Sequence, residues 1–242
     1  AQIRPAMQAF VDDKRVPNLV TMVVRQGQVV HLDACGVMDL ETEKSVKPET
    51  LFRLYSNSKP FAGVATLILF EKGVLTPDDP VSKFVPELSN LRVLRPDGTT
   101  EPARRGITIR DCLTNTTSLS TPANLPMSSR EQYREAMEIL GWIPSDNKPP
   151  PINSRERMAA IAQLPLADHP GKKFVYHVGF PILGAVLEAA AGKDMGQFFK
   201  EQIFAPLGMV DSDFYIADDA LDRLSLIHIS EPTRPERIGD AG

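Results

Sequence analysis

The 242-residue chain is 42% hydrophobic and carries 27 basic against 31 acidic side chains, a net charge of -4. That is enough apolar material for a sizeable core, in one large domain or two intertwined ones. Charges of both signs are scattered without a basic stripe, so nucleic acid is excluded as an expected partner, and no window of 18 apolar residues is present to span a membrane.

Residues 3 to 13 have helical apolar spacing at Ile3, Met7, Phe10 and Val11. After Pro17, "LVTMVVRQGQVVHLDACGVMD" predicts two strands joined at Arg25-Gln26-Gly27. "DLETEKSVKPETLFRLYS" then reads as an exposed loop running into a short strand. From Lys59 to Lys72 nearly every residue is apolar or small, and Gly73 follows as a stop. A stretch apolar on all sides predicts a helix buried in a large protein. "LTPDDPVSKFVPEL" predicts a further helix, with Thr76 as its cap and Pro77 in its first turn. "ITIRDCLTNTTSL" predicts another, capped by Thr108.

An amphipathic helix is expected at about residues 130 to 140, then the proline-rich loop "PSDNKPPPINS" and a short helix in "SRERMAAIAQL" that stops at Pro165. Next come an apolar helix ending at Gly192 and a helix capped by Asp194, with Gln197 in capping-box register. Helix, hairpin, a long helical middle and helices again describe an α+β protein with a helical insertion. Cys35 and Cys112, far apart and in apolar contexts, are expected to be buried free thiols.

Ser-x-x-Lys occurs twice, at Ser56/Lys59 and at Ser145/Lys148. A serine hydroxyl needs a base before it can act as a nucleophile. A lysine serves as that base when desolvation or positive charge disfavours its ammonium form. If Ser56 opens the apolar helix, Lys59 lies one turn on and on the same face, held against neighbours such as Phe61 and Val64. Lys148 is followed by three prolines, which forbid a continuing helix, so the second copy reads as exposed loop. On spacing alone, a capping serine and a lysine reaching to solvent remain open for Ser56 and Lys59.

Three blocks carry a resemblance. "LFRLYSNSKPFAGVATLILFEKGVLTPDDPVSKFVPEL", "GITIRDCLTNTTSLS" and "PGKKFVYHVGFPILGAVLEAAAGKDMGQFFKEQIFAPLGM" occur in the order found in the serine β-lactamase-like superfamily. That superfamily includes class C β-lactamases, D-alanyl-D-alanine carboxypeptidases and family VIII carboxylesterases. The resemblance runs from about residue 3 to 223, with a divergent patch at 121 to 165. It implies an antiparallel sheet with packed helices plus a helical sub-domain, no metal or cofactor, and a small-molecule ester or amide as substrate.

By the same resemblance Ser56 is the acylated nucleophile, Lys59 its proton acceptor, and Tyr176 the tyrosine of a Tyr-x-Asn motif that moves protons to the leaving group. His177 and Val178 are expected to border the substrate. Val178 stands where the β-lactamases carry an amide-contacting asparagine, which disfavours amides and points to small esters. The alternatives are a β-lactamase or D-alanyl peptidase, and a non-catalytic binding module.

No third motif of the Lys-Thr-Gly, His-x-Gly or Trp-x-Gly type on a strand is found in the chain. The sequence divides into an incomplete catalytic domain at 1–223, its α/β part at about 1–55 and 179–223 and its helical part at about 56–178, and a tail at 224–242. In that tail "LSLIHISEPTR" resembles the in-frame translation of a sequencing adapter, and it is expected to be foreign. A parent protein with further C-terminal strands is therefore expected, with the chain as written carrying little activity. The chain starts at Ala1 without a signal peptide, which leaves the periplasm and the cytoplasm of a bacterium both open.

Overall fold

The computed structural model of the chain describes residues 2–121, 125–141, 153–176 and 178–227. They fall into two units, Ala1–Tyr55 with Asp213–Gly242, and Ser56–Ser212.

In the first unit, helix α1 (Ile3–Asp12) precedes strands β1 (Asn18–Arg25) and β2 (Gln28–Gly36). The strands pair antiparallel, with Met22 opposite Leu32. Gln26 and Gly27 both have positive φ, 51° and 75°, as a type I′ hairpin turn requires. Arg4 of α1 reaches Asp33 of β2 at 2.8 Å. Met22, Val24 and Leu32 point away from the core and are exposed. The beginning of the expected foreign tail takes part in this unit. The Ser225 N–H donates to the Leu51 carbonyl at 2.9 Å and the Leu226 N–H to the Met38 carbonyl at 2.9 Å, and Leu224 and Ser225 are buried. Cys35 is buried and free, as expected.

The second unit begins with a 3-10 turn, Tyr55–Ser58, that runs into helix α2 (Lys59–Glu71). Ala62, Ala65, Thr66 and Leu69 bury one face of α2, while Val64, Leu67 and Phe70 are exposed. The helix expected to be buried on every side is thus covered on one side only. The helix predicted from Thr76 does not form. Its residues make two 3-10 turns, Val81–Lys83 and Pro86–Leu88, and the Asp79 carboxylate accepts the Thr76 N–H at 2.9 Å. Pro80 and Pro86 lack the N–H groups an α-helix would use there.

A small hairpin that the sequence reading did not foresee follows, β3 (Arg92–Leu94) with β4 (Thr100–Pro102). Then come α3 (Ile109–Leu113), α4 (Met127–Arg130), α5 (Arg134–Ile139) and α6 (Ser154–Gln163). Thr108 caps α3 in a full capping box with Asp111. The amphipathic segment at 130–140 is split between α4 and α5 by a 3-10 turn.

Helix α7 (Gly179–Ala191) is the centre of this unit. Its Ile182, Leu183, Val186 and Leu187 join Ala65 and Leu69 of α2, Ile109 and Cys112 of α3 and Met158 and Ile161 of α6 in one apolar core. Each of the leucine, isoleucine, valine and methionine side chains contributes about 1.5–3 kcal/mol when fully buried. Helix α7 lies wholly within the second unit. Gly179 lets α7 approach α3 closely, since a Cβ there would lie 2.9 Å from the Cys112 carbonyl oxygen. Helix α8 (Met195–Phe199) follows, capped by Asp194 through the Gln197 N–H, and continues into a π turn, Lys200–Phe204. Phe204 meets Phe61 and Phe199 edge-on, at 5.4 and 5.9 Å. Among the described residues no helix is long and apolar enough to cross a membrane.

Candidate active site

Ser56 sits in the 3-10 turn and Lys59 opens α2. Three residues make one turn of a 3-10 helix, so the two side chains are stacked on one side. The Lys59 ammonium donates to Ser56 Oγ at 2.9 Å. From the other side, Ser56 Oγ shares a hydrogen bond of 2.5 Å with the Tyr176 hydroxyl. Three groups separated by 120 residues of sequence thus converge on one oxygen. The Lys59 ammonium also lies over two aromatic rings, 4.8 Å from the centroid of Tyr176 and 5.4 Å from that of Phe180.

Phe61 and Val64, expected to surround the lysine, do not make these contacts. Phe61 packs on Phe204 and Val64 is exposed, because residues two and five positions along a helix face elsewhere. Phe180, on the first turn of α7, is the neighbour the sequence reading missed. The apolar helix after Tyr176 was its only signal.

The hydrogen bond from Lys59, and after it the one with Ser56, holds the Tyr176 phenol below its ordinary value. A cationic donor stabilises the phenolate more than the phenol. Tyr176 is 48% exposed, so the site opens to solvent and to a ligand.

Val178 does not join the site. Its side chain is 1% exposed and belongs to the apolar core, where it precedes α7. The border with substrate expected of it is not made by this side chain, because an apolar group at the start of a central helix gains more by burial than by facing water. His177 lies outside the described residues, as do Ser145, Lys148, His228 and Ser230. Cys112 is buried and free, and burial pushes its thiol pKa up, which keeps it protonated and inert.

The Asp111 carboxylate, on α3, accepts two bonds from Arg105, at 2.5 and 2.9 Å, and one from the Thr108 N–H at 2.9 Å. Burial alone would raise the Asp111 pKa, but the bonds from Arg105 and Thr108 together outweigh it and hold the carboxyl below the usual range. A lowered carboxylate stabilises the fold above its unfolded value, near pH 4, and loses that contribution as pH falls through its folded value. Asp111→Asn is therefore expected to cost about 2 kcal/mol at neutral pH. The gap in melting temperature between wild type and variant should close as pH is lowered below about 4. A gap that stays constant down to pH 2 would show that the ionised pair is not what stabilises this corner.

The family model described as Beta-lactamase matches residues 3–240. The chain is 29% identical over 230 residues to protein Rv1367c of Mycobacterium tuberculosis, covering 92% of the chain and 54% of that protein. It is 29% identical over 240 residues to esterase EstB of Burkholderia gladioli, covering 99% of the chain and 57% of the esterase. Among solved structures it superposes with a TM-score of 0.74 on EstCE1, described as a hydrolase with promiscuous acyltransferase activity, at 29% identity, covering 92% of the chain and 54% of that structure. The chain spans about half the length of the curated relatives it matches. With the family model covering nearly the whole chain and Ser56, Lys59 and Tyr176 gathered on one oxygen, the chain belongs to the beta-lactamase family.

Proposed function

We propose that the parent protein is a serine hydrolase that works through an acyl-enzyme on small esters. The observation that carries this reading is the pair of hydrogen bonds that Ser56 Oγ makes with Lys59 and Tyr176. Ser56 Oγ attacks the ester carbonyl, and its proton passes to the Lys59–Tyr176 pair. The alcohol leaves with that proton, and the acyl group stays on Ser56. Water then attacks the acyl-enzyme and gives up a proton to the same pair. The intermediate collapses, the pair returns that proton to Ser56 Oγ as the Oγ–acyl bond breaks, and the acid is released.

Esters are favoured over amides because the position expected to contact a substrate amide is Val178, an apolar side chain folded into the core. A site without a partner for the amide gains nothing from that group. The esterase named among the relatives supports the same choice. In the parent protein, p-nitrophenyl butyrate should be turned over at least about tenfold faster than nitrocefin. Faster hydrolysis of nitrocefin would replace this reading with that of a β-lactamase.

A further inference from the structure

Tyr176 is half exposed, so packing around its ring does little to hold it in place. Ser56 and Lys59 meet its phenol, and the backbone that carries it sets where that phenol lies. That backbone is not part of a strand. It is fastened instead to the loop after α3. The Val175 N–H donates to the Asn115 carbonyl at 2.8 Å, the Gly171 N–H to the Thr116 carbonyl at 2.8 Å, and the Ala167 N–H to the Ser118 carbonyl at 2.7 Å. Val175 is buried and its neighbour Tyr176 is exposed.

The loop can offer these carbonyls because two of its residues are left-handed, Asn115 with φ 56° and Ser118 with φ 58°. Asparagine tolerates that conformation better than most residues. The Asn115 side-chain oxygen is buried and has no hydrogen-bond partner, and the bond to Val175 is made by the Asn115 backbone carbonyl. The loop is in turn anchored to α3. The Thr116 N–H donates to the Asp111 carbonyl at 2.8 Å and its hydroxyl to the Asp111 carboxylate at 3.1 Å, and Arg105 grips the same carboxylate.

We propose that Asn115 is a positioning residue for Tyr176, and that its left-handed backbone sets the phenol against Ser56 Oγ by holding Val175. The proposal rests on the reading of Ser56, Lys59 and Tyr176 as the reacting group. Its requirement is conformational, and that separates it from a general role in folding. Glycine, which adopts the left-handed region freely, substitutes for Asn115 without effect on the site. Valine, whose branched Cβ disfavours that region, turns the carbonyl away and lets Tyr176 drift.

The test compares Asn115→Gly, Asn115→Ala and Asn115→Val with wild type. One readout is the ionisation of Tyr176, taken as the ultraviolet difference titration of each protein against the same protein carrying Tyr176→Phe. The other is turnover of p-nitrophenyl butyrate by the parent protein. Asn115→Gly should keep the wild-type titration and turnover. Asn115→Val should move the Tyr176 titration to higher pH and lower kcat about tenfold or more, with KM within about twofold, since small misplacements of a reacting group are costly. Asn115→Ala should fall between them, and it carries the test if the valine variant does not fold. Equal titrations in glycine, alanine and wild-type proteins would overturn the proposal, as would a loss of kcat in the glycine variant equal to that in the others. Absence of ester turnover in the wild type would count against the hydrolase reading, while the titration still decides the role of Asn115.

Discussion

Ser56→Ala in the parent protein is expected to abolish acylation. The acyl group has to be carried by Ser56 Oγ, and alanine has no atom there. Neither Lys59 nor Tyr176 replaces it, since in the proposed reaction both handle the serine proton and neither carries the acyl group. The variant should keep its melting temperature, because Ser56 is exposed and contributes nothing to the core. A fluorophosphonate probe reads the result directly. It should label wild type and leave Ser56→Ala unlabelled, and ester turnover should fall to background. Labelling of the variant at the wild-type level would remove Ser56 from the role of nucleophile.

Lys59→Ala and Tyr176→Phe should each lower turnover by about a hundredfold or more, the size of a lost general base. The two are distinguishable by pH. If the phenolate form of Tyr176 takes part in receiving the proton, the rate rises with pH through the Tyr176 value. That value lies below the ordinary one because Lys59 hydrogen-bonds the phenol oxygen. Lys59→Ala removes the bond that lowers it, so the residual rate should rise only at higher pH. Tyr176→Phe removes the titrating group, so the corresponding limb of the profile should vanish. An unshifted limb in Lys59→Ala would assign the titration to another group. A fall of less than about threefold in both variants would leave Ser56 without its base.

Much of this protein is local chemistry and is legible from the chain. The spacing of Ile3, Met7 and Phe10 makes α1, and the Gln26-Gly27 turn makes the first hairpin. Thr108, Asn153 and Asp194 cap the helices that follow them, each by accepting the N–H three residues on. The pairing of Ser56 with Lys59 is local too, since three residues of 3-10 backbone stack them whatever else folds.

Tertiary structure decided the rest. Tyr176 reaches Ser56 only because α7 packs on α2 and α3, and no periodicity reports a contact across 120 residues. The resemblance puts Val178 at the substrate border, at the asparagine position of the Tyr-x-Asn motif, yet as the residue leading into a central helix it is drawn into the core. The uniformly apolar α2 was read as buried all round, because composition records how apolar a face is and not whether anything covers it. The same blindness explains the failed helix after Thr76, where Asp79 and two prolines settled the backbone into turns. Sequence by itself determined which residues could do the chemistry and which stretches could be helices. Which reactive groups share an oxygen, and which apolar faces are covered, was decided by long-range packing, because burial is a property of neighbours that are distant along the chain.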